Sequence, residues 1–444
     1  MKKIFLTLLF MFIFILNAQA KTIKRDFSTV INDSGVDIES IAVSIKDLDS
    51  GKVVYSLNDK MLINPASVQK IYTTPVIADV LGYDYKLNTE IYKRNESDVL
   101  IKLGADPYLT SKDLKTLIKN VDKSLQTVYI DDSILDTKIW GEGWQWDDDM
   151  NILMPRFGAY NLDKNLVKLT IVPSQDGQFA TIMNPTKYPF VIFNYVKNGT
   201  KTDLDVHRDN AISPNTLMIS GTVARPTTIY IPNNNLKRYF DMQLTNILAE
   251  KNIYLKTNFI FDKQNEKDVL VEEISHDINT AYSDILKNSN NLISETLFKL
   301  AGRKYANLAT GSDSLGIKMF NDYCVKNNID NTRIKIVDGS GVSKNNLVSA
   351  DFVTNFLELN KTNKIMDLLP KPGEGTLTHR MLPIRDNLRA KTGTLSDISS
   401  IAGYLTSKSG KKFAFCIIIN DIKLSNSDKK MLEDFIIREA YIRL

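Results

Sequence analysis

The chain carries the same two elements at both ends, which restricts the folds open to it. Residues 38–58 alternate apolar and polar positions about the turn Asp49-Ser50-Gly51-Lys52, which predicts a β-hairpin, and a helical apolar pattern follows. Residues 399–420 and 427–440 show the same order, a hairpin and then an amphipathic helix. Between about Tyr85 and residue 262, short strand candidates alternate with turns. We therefore expect strands from both ends to share one sheet, with the middle of the chain inserted between them.

The length of 444 residues exceeds that of one typical domain. We predict a split domain formed by residues 21–86 and 262–444, and an inserted, mostly β region at residues 87–261. A chain of this size buries a core large enough to need no disulfide or metal for stability.

The first twenty residues have the three parts of a secretory signal peptide. Lys2 and Lys3 precede an apolar run of 13 residues at positions 4–16, which is short for a membrane span, and the small residues Ala18-Gln19-Ala20 follow. We predict cleavage near Ala20 and a mature chain outside the cytoplasm. An uncleaved anchor is the weaker alternative because the run is short, and no later stretch predicts a transmembrane segment.

Charge and metal-ligating residues exclude several classes of function. The 56 basic and 52 acidic residues nearly balance, which argues against a protein that coats nucleic acid. His207, His276 and His379 lie far apart without ligand spacing, so we expect no metal, no cofactor and no Ser-His-Asp triad. Cys324 and Cys416 could form a disulfide in an oxidising compartment or stay as two buried thiols, and both possibilities stay open.

Three short motifs could carry chemistry. In Ser67-Val68-Gln69-Lys70, at a predicted helix start, one helical turn separates the serine from the lysine. A serine hydroxyl needs a base to become a nucleophile, and a lysine amine can be that base if burial lowers its pKa. The same spacing occurs at Ser409 and Ser427, so this motif alone is weak; a helix cap followed by a surface lysine would explain it.

The second motif, Ser289-Asn290-Asn291, precedes a helical pattern, and a simple N-cap at Ser289 is its structural alternative. Functionally, a second hydroxyl can relay a proton and an amide can hold a substrate. The third motif is Lys391-Thr392-Gly393-Thr394. Its lysine and threonines could bind a carboxylate, and Gly393 would let a substrate backbone approach closely.

These three motifs in this order are the set shared by penicillin-binding proteins and class A β-lactamases. The sequence resembles the D-alanyl-D-alanine carboxypeptidase/endopeptidase family of penicillin-binding protein 4 type, the class C low-molecular-mass penicillin-binding proteins. Further stretches that resemble landmarks of this family are Leu103-Gly104-Ala105-Asp106-Pro107, Gly143-Trp144-Gln145-Trp146-Asp147-Asp148, Asp338-Gly339-Ser340-Gly341 and Gly375-Thr376-Leu377 with Arg380.

The resemblance implies a role for each motif residue. Ser67 would be the acylated nucleophile, Lys70 its base, and Ser289 the residue that passes a proton to the leaving group. Asn291 would orient Lys70 and the substrate. Backbone N–H groups of Ser67 and Thr394 would form the oxyanion hole.

Substrate recognition is implied for a second group of residues. Lys391, Thr392 and Thr394 would hold the terminal carboxylate of the substrate, beside Gly393. An acidic residue after the Trp-x-Trp segment would select the amino group of the stem peptide. Asp148 is the candidate, but its two acidic neighbours, Asp147 and Asp149, and a merely solvated loop are not excluded by spacing.

The resemblance also implies the fold and the activity. The fold would be an α/β (α+β), β-lactamase/transpeptidase-like domain, an antiparallel sheet flanked by helices, with a large β insertion. The protein would be a periplasmic, penicillin-sensitive serine D-Ala-D-Ala carboxypeptidase acting on peptidoglycan stem peptides, with β-lactams as covalent inhibitors. D,D-endopeptidase activity stays open because both reactions share one acylation step. The alternatives are a β-lactamase or esterase of the same fold and a non-catalytic wall-binding protein.

Overall fold

The computed structural model describes residues 27–175, 177, 179–257 and 259–444, so the predicted signal peptide lies outside it. In this part of the chain, no helix combines the length and the apolar character that crossing a membrane requires. The helices are α1 (Phe27–Asp33), α2 (Lys70–Leu81), α3 (Ser111–Leu117), α4 (Leu236–Glu250), α5 (Ile278–Asn288), α6 (Asn291–Ala306), α7 (Asp313–Lys326), α8 (Ala350–Leu359) and α9 (Asn426–Arg443).

The strands of the described residues form four sheets. They are β1 (Ile41–Asp47), β2 (Val53–Leu57), β3 (Lys86–Lys93), β4 (Asp98–Lys102), β5 (Thr127–Asp131), β6 (Leu166–Val172), β7 (Thr181–Met183), β8 (Val191–Asn198), β9 (Asp203–Arg208), β10 (Thr216–Val223), β11 (Thr227–Pro232), β12 (Ile260–Phe261), β13 (Val269–Asp277), β14 (Leu388–Thr394), β15 (Ser399–Thr406) and β16 (Lys412–Ile419).

One antiparallel sheet joins the two ends of the chain, in the order β14-β15-β16-β1-β2. At its centre β1 pairs with β16, with Ile41 opposite Ile419. Helix α8 covers one face, where Ser44 and Thr354 share a hydrogen bond of 2.9 Å, and apolar residues of α9 pack on the other. Burial on both faces explains why β16 is an almost continuous apolar run. The predicted sharing of one sheet by both ends is confirmed.

The middle of the chain forms three further sheets, β8-β10-β9, β11-β6-β7 and β12-β5-β4-β3-β13. These sheets and α4 enclose an apolar core of their own. Beside these strands the middle region contains a long helix, α4, of 15 residues, which the sequence pattern did not predict. Strand β13 pairs with β3 although it lies after residue 261, so this sheet draws on both sides of the predicted border. The domain limits 21–86, 262–444 and 87–261 stay a prediction.

A layer of buried helices packs behind the shared sheet. The ring of Tyr72 on α2 lies between the rings of Phe320 and Phe352, at centroid distances of 5.8 and 5.6 Å. Helix α2 is buried on nearly all sides, which fixes the position of its first residue, Lys70. Cys324 in α7 and Cys416 in β16 are both buried and not bonded to each other, so the structure contains two thiols and no disulfide between them.

Candidate active site

The predicted nucleophile, Ser67, lies in a short 3₁₀ helix, Ala66–Gln69, that leads into α2. The backbone of Ala66 is left-handed, with φ of 47°. Its N–H donates to the side-chain oxygen of Asn64 at 2.9 Å, and the hydroxyl of Ser400 donates to the carbonyl of Pro65 at 2.7 Å. These bonds hold a tight turn that leaves Ser67 half-buried at the entrance of α2, where helix N–H groups favour negative charge.

The Lys70 amine is fully buried and has three partners. It lies 3.0 Å from the hydroxyl of Ser67, 2.7 Å from the side-chain oxygen of Asn291 and 2.6 Å from the carbonyl oxygen of Ser340. Burial lowers the pKa of Lys70 to about 7, against the opposing effect of Asp338 and then Glu295. A neutral amine would keep donating to the two carbonyl-type oxygens and direct its lone pair at Ser67.

Ser289 lies at a sharp turn between α5 and α6, with φ of 59°. The carbonyl of Asp284 accepts the N–H of Ser289, and also that of Asn290 at 3.3 Å. The N-cap of α6 is Asn290, whose side chain accepts the N–H of Ile293 at 3.0 Å, so a cap at Ser289 is wrong. The N-cap is therefore the middle residue of the motif, Asn290. The hydroxyl of Ser289 is not used for capping and can contact a neighbouring strand.

That strand is β14, which carries Lys391. The Lys391 amine donates to the hydroxyl of Ser289 at 2.8 Å and to the carbonyl of Thr392 at 2.6 Å. Burial, and then the positive charge of Lys70, lower the pKa of Lys391 well below its ordinary value. All three motifs thus meet at one place, with two hydroxyl–lysine pairs side by side.

Gly393 has a packing role inside the protein, whereas the sequence pattern suggested only that it would let a substrate backbone approach. A Cβ atom at this position would lie 2.8 Å from the backbone nitrogen of Ser67 and 2.4 Å from the hydroxyl of Ser400. The missing side chain therefore lets β14 lie directly against the nucleophile turn. Thr392 donates a hydrogen bond of 2.7 Å to Thr376, and Thr394 ends the strand at the surface.

A cleft of about 280 Å³ opens in front of Ser67. Its lining includes both motif and loop residues: Ser67, Gln145, Asp148, Asn151, Leu153, Met154, Asn291, Val342, Lys344, Thr394, Leu395, Ser396 and Asn426. Because β14 is the outer strand of its sheet, an extended peptide can bind along it.

Of the three adjacent aspartates, Asp148 lines this cleft. Asp149 forms an ion pair of 3.0 Å with Arg208, and Asp147 is exposed. Partial burial, and then the charge of Asp147, raise the pKa of Asp148, while Lys344 lowers it. Lys344 was not predicted as a site residue, although it lies only three positions after Gly341 of the Asp-Gly-Ser-Gly landmark.

Sequence reasoning also assigned no contact to Asp338, which holds the loop behind Lys70. Its carboxylate accepts hydrogen bonds from the ring nitrogen of Trp144 at 3.0 Å, the Gln69 amide at 2.9 Å and the backbone of Gly341 at 2.8 Å. The Trp-x-Trp segment and the Asp-Gly-Ser-Gly loop are therefore parts of one structure beside the first motif.

Comparison with known proteins places this geometry in a family. A model of the D-Ala-D-Ala carboxypeptidase 3 (S13) family matches residues 23–439. The D-alanyl-D-alanine carboxypeptidase DacB of Haemophilus influenzae is 24% identical over 418 residues, covering 87% of this chain and 86% of that protein. A D-alanyl-D-alanine carboxypeptidase of Actinomadura sp. is 24% identical over 442 residues, covering 91% and 82% respectively.

A solved structure shows the same fold. The crystal structure of penicillin binding protein 4 (dacB) from Haemophilus influenzae matches with a TM-score of 0.80 at 22% identity, and covers 94% of this chain and 100% of that one. The same protein in complex with a β-lactam matches with a TM-score of 0.76. The resemblance carried by the motifs is therefore confirmed, and the chain belongs to the D-Ala-D-Ala carboxypeptidase 3 (S13) family of serine-type hydrolases.

Proposed function

We propose that this protein acts in the periplasm and removes the terminal D-alanine of peptidoglycan stem peptides through an acyl-enzyme on Ser67. The observation that carries the proposal is the buried Lys70 amine, 3.0 Å from the Ser67 hydroxyl and held by two oxygen acceptors. A base with a pKa near neutrality suits proton abstraction from a serine.

In the acylation step, the Ser67 oxygen attacks the carbonyl carbon of the penultimate D-alanine while its proton passes to Lys70. Backbone N–H groups of Ser67 and Thr394 stabilise the negative oxygen that forms. The close approach of β14 to the Ser67 nitrogen at Gly393 supports this pairing of two N–H groups. The C–N bond then breaks as Ser289 gives its proton to the departing amine of D-alanine; the proton that Lys70 took from Ser67 is returned to Ser289 through the adjoining lysine–hydroxyl pair, so that both groups regain their starting state. Water hydrolyses the resulting ester and restores Ser67.

The terminal carboxylate of the substrate would bind at Lys391, Thr392 and Thr394, at the end of β14. The contact between Lys391 and Ser289 supports a site where positive charge and a proton relay adjoin. Farther along the cleft, Asp148 would bind an amino group of the stem peptide, and Lys344 places a cation in the same cleft. This pair suits a side chain that bears both an ammonium and a carboxylate group.

The first test is covalent labelling with a fluorescent penicillin. We expect the mature protein to be labelled and Ser67→Ala not to be labelled. Ser427→Ala is a matched control, because Ser427 has the same spacing to a lysine but lies exposed on α9. Labelling of Ser67→Ala at the wild-type rate would sink the assignment.

The second test is mass spectrometry of purified muropeptides after incubation with the protein. Loss of one alanine indicates carboxypeptidase activity, and conversion of dimers to monomers indicates endopeptidase activity. Rapid turnover of a chromogenic β-lactam would instead indicate a β-lactamase, and binding without any release would indicate a wall-binding protein. N-terminal sequencing of the protein from the periplasmic fraction tests cleavage near Ala20.

A further inference from the structure

A buried acidic residue, Glu295, lies behind the two lysines and has no role in the steps above. It follows Asn291 by about one turn of α6, and its side chain is inaccessible to solvent. Its two carboxylate oxygens accept the backbone N–H groups of Gly339 at 3.1 Å and Ser340 at 2.8 Å. Among the described residues, no lysine, arginine or histidine forms an ion pair with Glu295. A buried carboxylate without a cation is unfavourable for stability, so its position calls for a physical reason.

The reason lies one residue further on. Ser340 donates its N–H to Glu295, and its carbonyl oxygen accepts a hydrogen bond of 2.6 Å from the Lys70 amine. Glu295 therefore reaches Lys70 through the backbone of a single residue. Asn291, on the same helix, contacts Lys70 directly at 2.7 Å. Helix α6 thus fixes two of the three partners of the Lys70 amine.

The surrounding loop leaves little room for Ser340 to move. The carbonyl of Gly339 accepts hydrogen bonds from the hydroxyls of Thr73 at 2.9 Å and Ser294 at 3.0 Å. A Cβ atom on Gly339 would lie 2.6 Å from that of Phe298. Because the loop is packed this closely, loss of the Glu295 contacts would be transmitted to the Ser340 carbonyl instead of being absorbed by a flexible segment.

Glu295 belongs to a group of buried ionisable residues around the same amine. Asp338 favours the protonated form of the Lys70 amine, and the charge of that amine in turn lowers the pKa of Lys391. Asp338 is held by several donors in its own loop, whereas Glu295 has two backbone donors and also faces Asp313 on α7. Burial, and then the charge of Asp338, raise the pKa of Glu295 to about 8, so near pH 7 the group is largely neutral and acts on Lys70 through the backbone of Ser340.

We propose that Glu295 is a positioning residue: its two carboxyl oxygens hold the backbone of Ser340 so that the carbonyl of Ser340 keeps accepting the hydrogen bond from the Lys70 amine. The inference rests on the proposed function, because it requires Lys70 to be the base of acylation.

The experiment compares Glu295→Gln and Glu295→Asp by measuring the second-order rate of acylation by a fluorescent penicillin between about pH 5 and pH 9. In Glu295→Gln an NH₂ group, which cannot accept a hydrogen bond from a backbone N–H, replaces one of the two oxygens, so the Ser340 carbonyl, which favours the protonated Lys70 amine, is held less well. We expect the maximum rate to fall about 10- to 100-fold, and the midpoint of the acid limb to move down by about one pH unit. Glu295→Asp keeps both oxygen acceptors but is shorter, so we expect a smaller fall in the rate and a smaller shift of the midpoint in the same direction.

Ser294→Ala is the matched control, because it removes a neutral contact to the same loop and should leave the midpoint unmoved. A wild-type rate and midpoint in Glu295→Gln would overturn the proposal, and so would a lower rate with an unmoved midpoint, because a displaced Ser340 carbonyl must change the pKa of Lys70. If Glu295→Gln does not fold, Glu295→Asp with an unreduced rate would overturn the positioning role. Failure of the proposed function is distinguishable, because Lys70→Ala would then be acylated at the wild-type rate.

Discussion

A methyl group added to Gly393 would collide with the turn that carries Ser67. In Gly393→Ala, the new Cβ atom would lie 2.8 Å from the Ser67 nitrogen, 2.4 Å from the Ser400 hydroxyl and 3.0 Å from the Ala66 Cβ. Ordinary contacts of a Cβ atom begin near 3.4 Å, so β14 and the Ser67 turn must separate by about 0.6 Å. The hydroxyl of Ser400 can rotate away, but the Ser67 nitrogen belongs to the backbone and cannot.

The expected effect on acylation is large because the two proposed oxyanion donors lie on either side of this contact. A displacement approaching 1 Å in a reacting site lowers a rate by about 10²-fold. The overpacking itself would lower stability by about 1–3 kcal/mol, which leaves most of the protein folded if its stability is typical.

The assay is the second-order rate of acylation by a fluorescent penicillin, with thermal unfolding measured on the same samples. Gly158→Ala is the control, because its Cβ atom would meet Ile139 at 3.3 Å and Leu236 at 3.6 Å, outside the cleft. We expect Gly158→Ala to acylate at close to the wild-type rate. A rate in Gly393→Ala within about threefold of wild type would refute the argument that β14 and the Ser67 turn are held in contact for catalysis.

Three further predictions follow from burial and charge. The rate of acylation should be half-maximal near pH 7 and fall about tenfold per pH unit below it, because burial lowers the pKa of Lys70 to about 7 and only the neutral amine accepts a proton. A rate constant that stays unchanged down to about pH 5 would contradict this. Cys324 and Cys416 should react with maleimide only after unfolding, as mass spectrometry can test, since both are buried and burial raises the pKa of both thiols. Arg380→Ala should lower the free energy of unfolding by about 3–5 kcal/mol in denaturant titrations. The reason is that the buried carboxylate of Glu433, which lies 2.8 Å from the Arg380 guanidinium, would lose its ion-pair partner. A change below about 1 kcal/mol would contradict this.

The sequence predicts individual helices and hairpins better than it predicts which strands pair with each other. The two terminal hairpins and the helices at α2, α5, α6 and α9 follow from apolar periodicity. The sheets of the middle region do not, because their pairing depends on register between strands such as β3 and β13, whose alternation says nothing about which strand is next. Helix α4 was not predicted because strand-like segments surround it, although Asn235 caps its start and its apolar residues recur at helical spacing.

Within the site, motif spacing brought together Ser67, Lys70, Ser289 and Lys391, but not the backbone shapes that let them meet. The left-handed conformations of Ala66 and Ser289 are uncommon for such residues, so composition gives no sign of them. Glu295 escaped notice because nothing in its own helix indicates the loop that it holds, which lies more than 40 positions later.

The pairing of β1 with β16 also sets the stage of protein synthesis at which the active site can form. Ile41 pairs with Ile419, so the central strand pair of the sheet joins residues that are very far apart in sequence. This pair can form only after residue 419 has been synthesised. Until then the β1–β2 hairpin is marginally stable by itself and exposes an apolar edge that can aggregate. A chain emerging from its amino end would therefore carry the Ser67 turn for most of its translation without a strand β14 to complete it. The nucleophile turn is therefore completed only after β14 has been made, and products truncated before β14 should be inert.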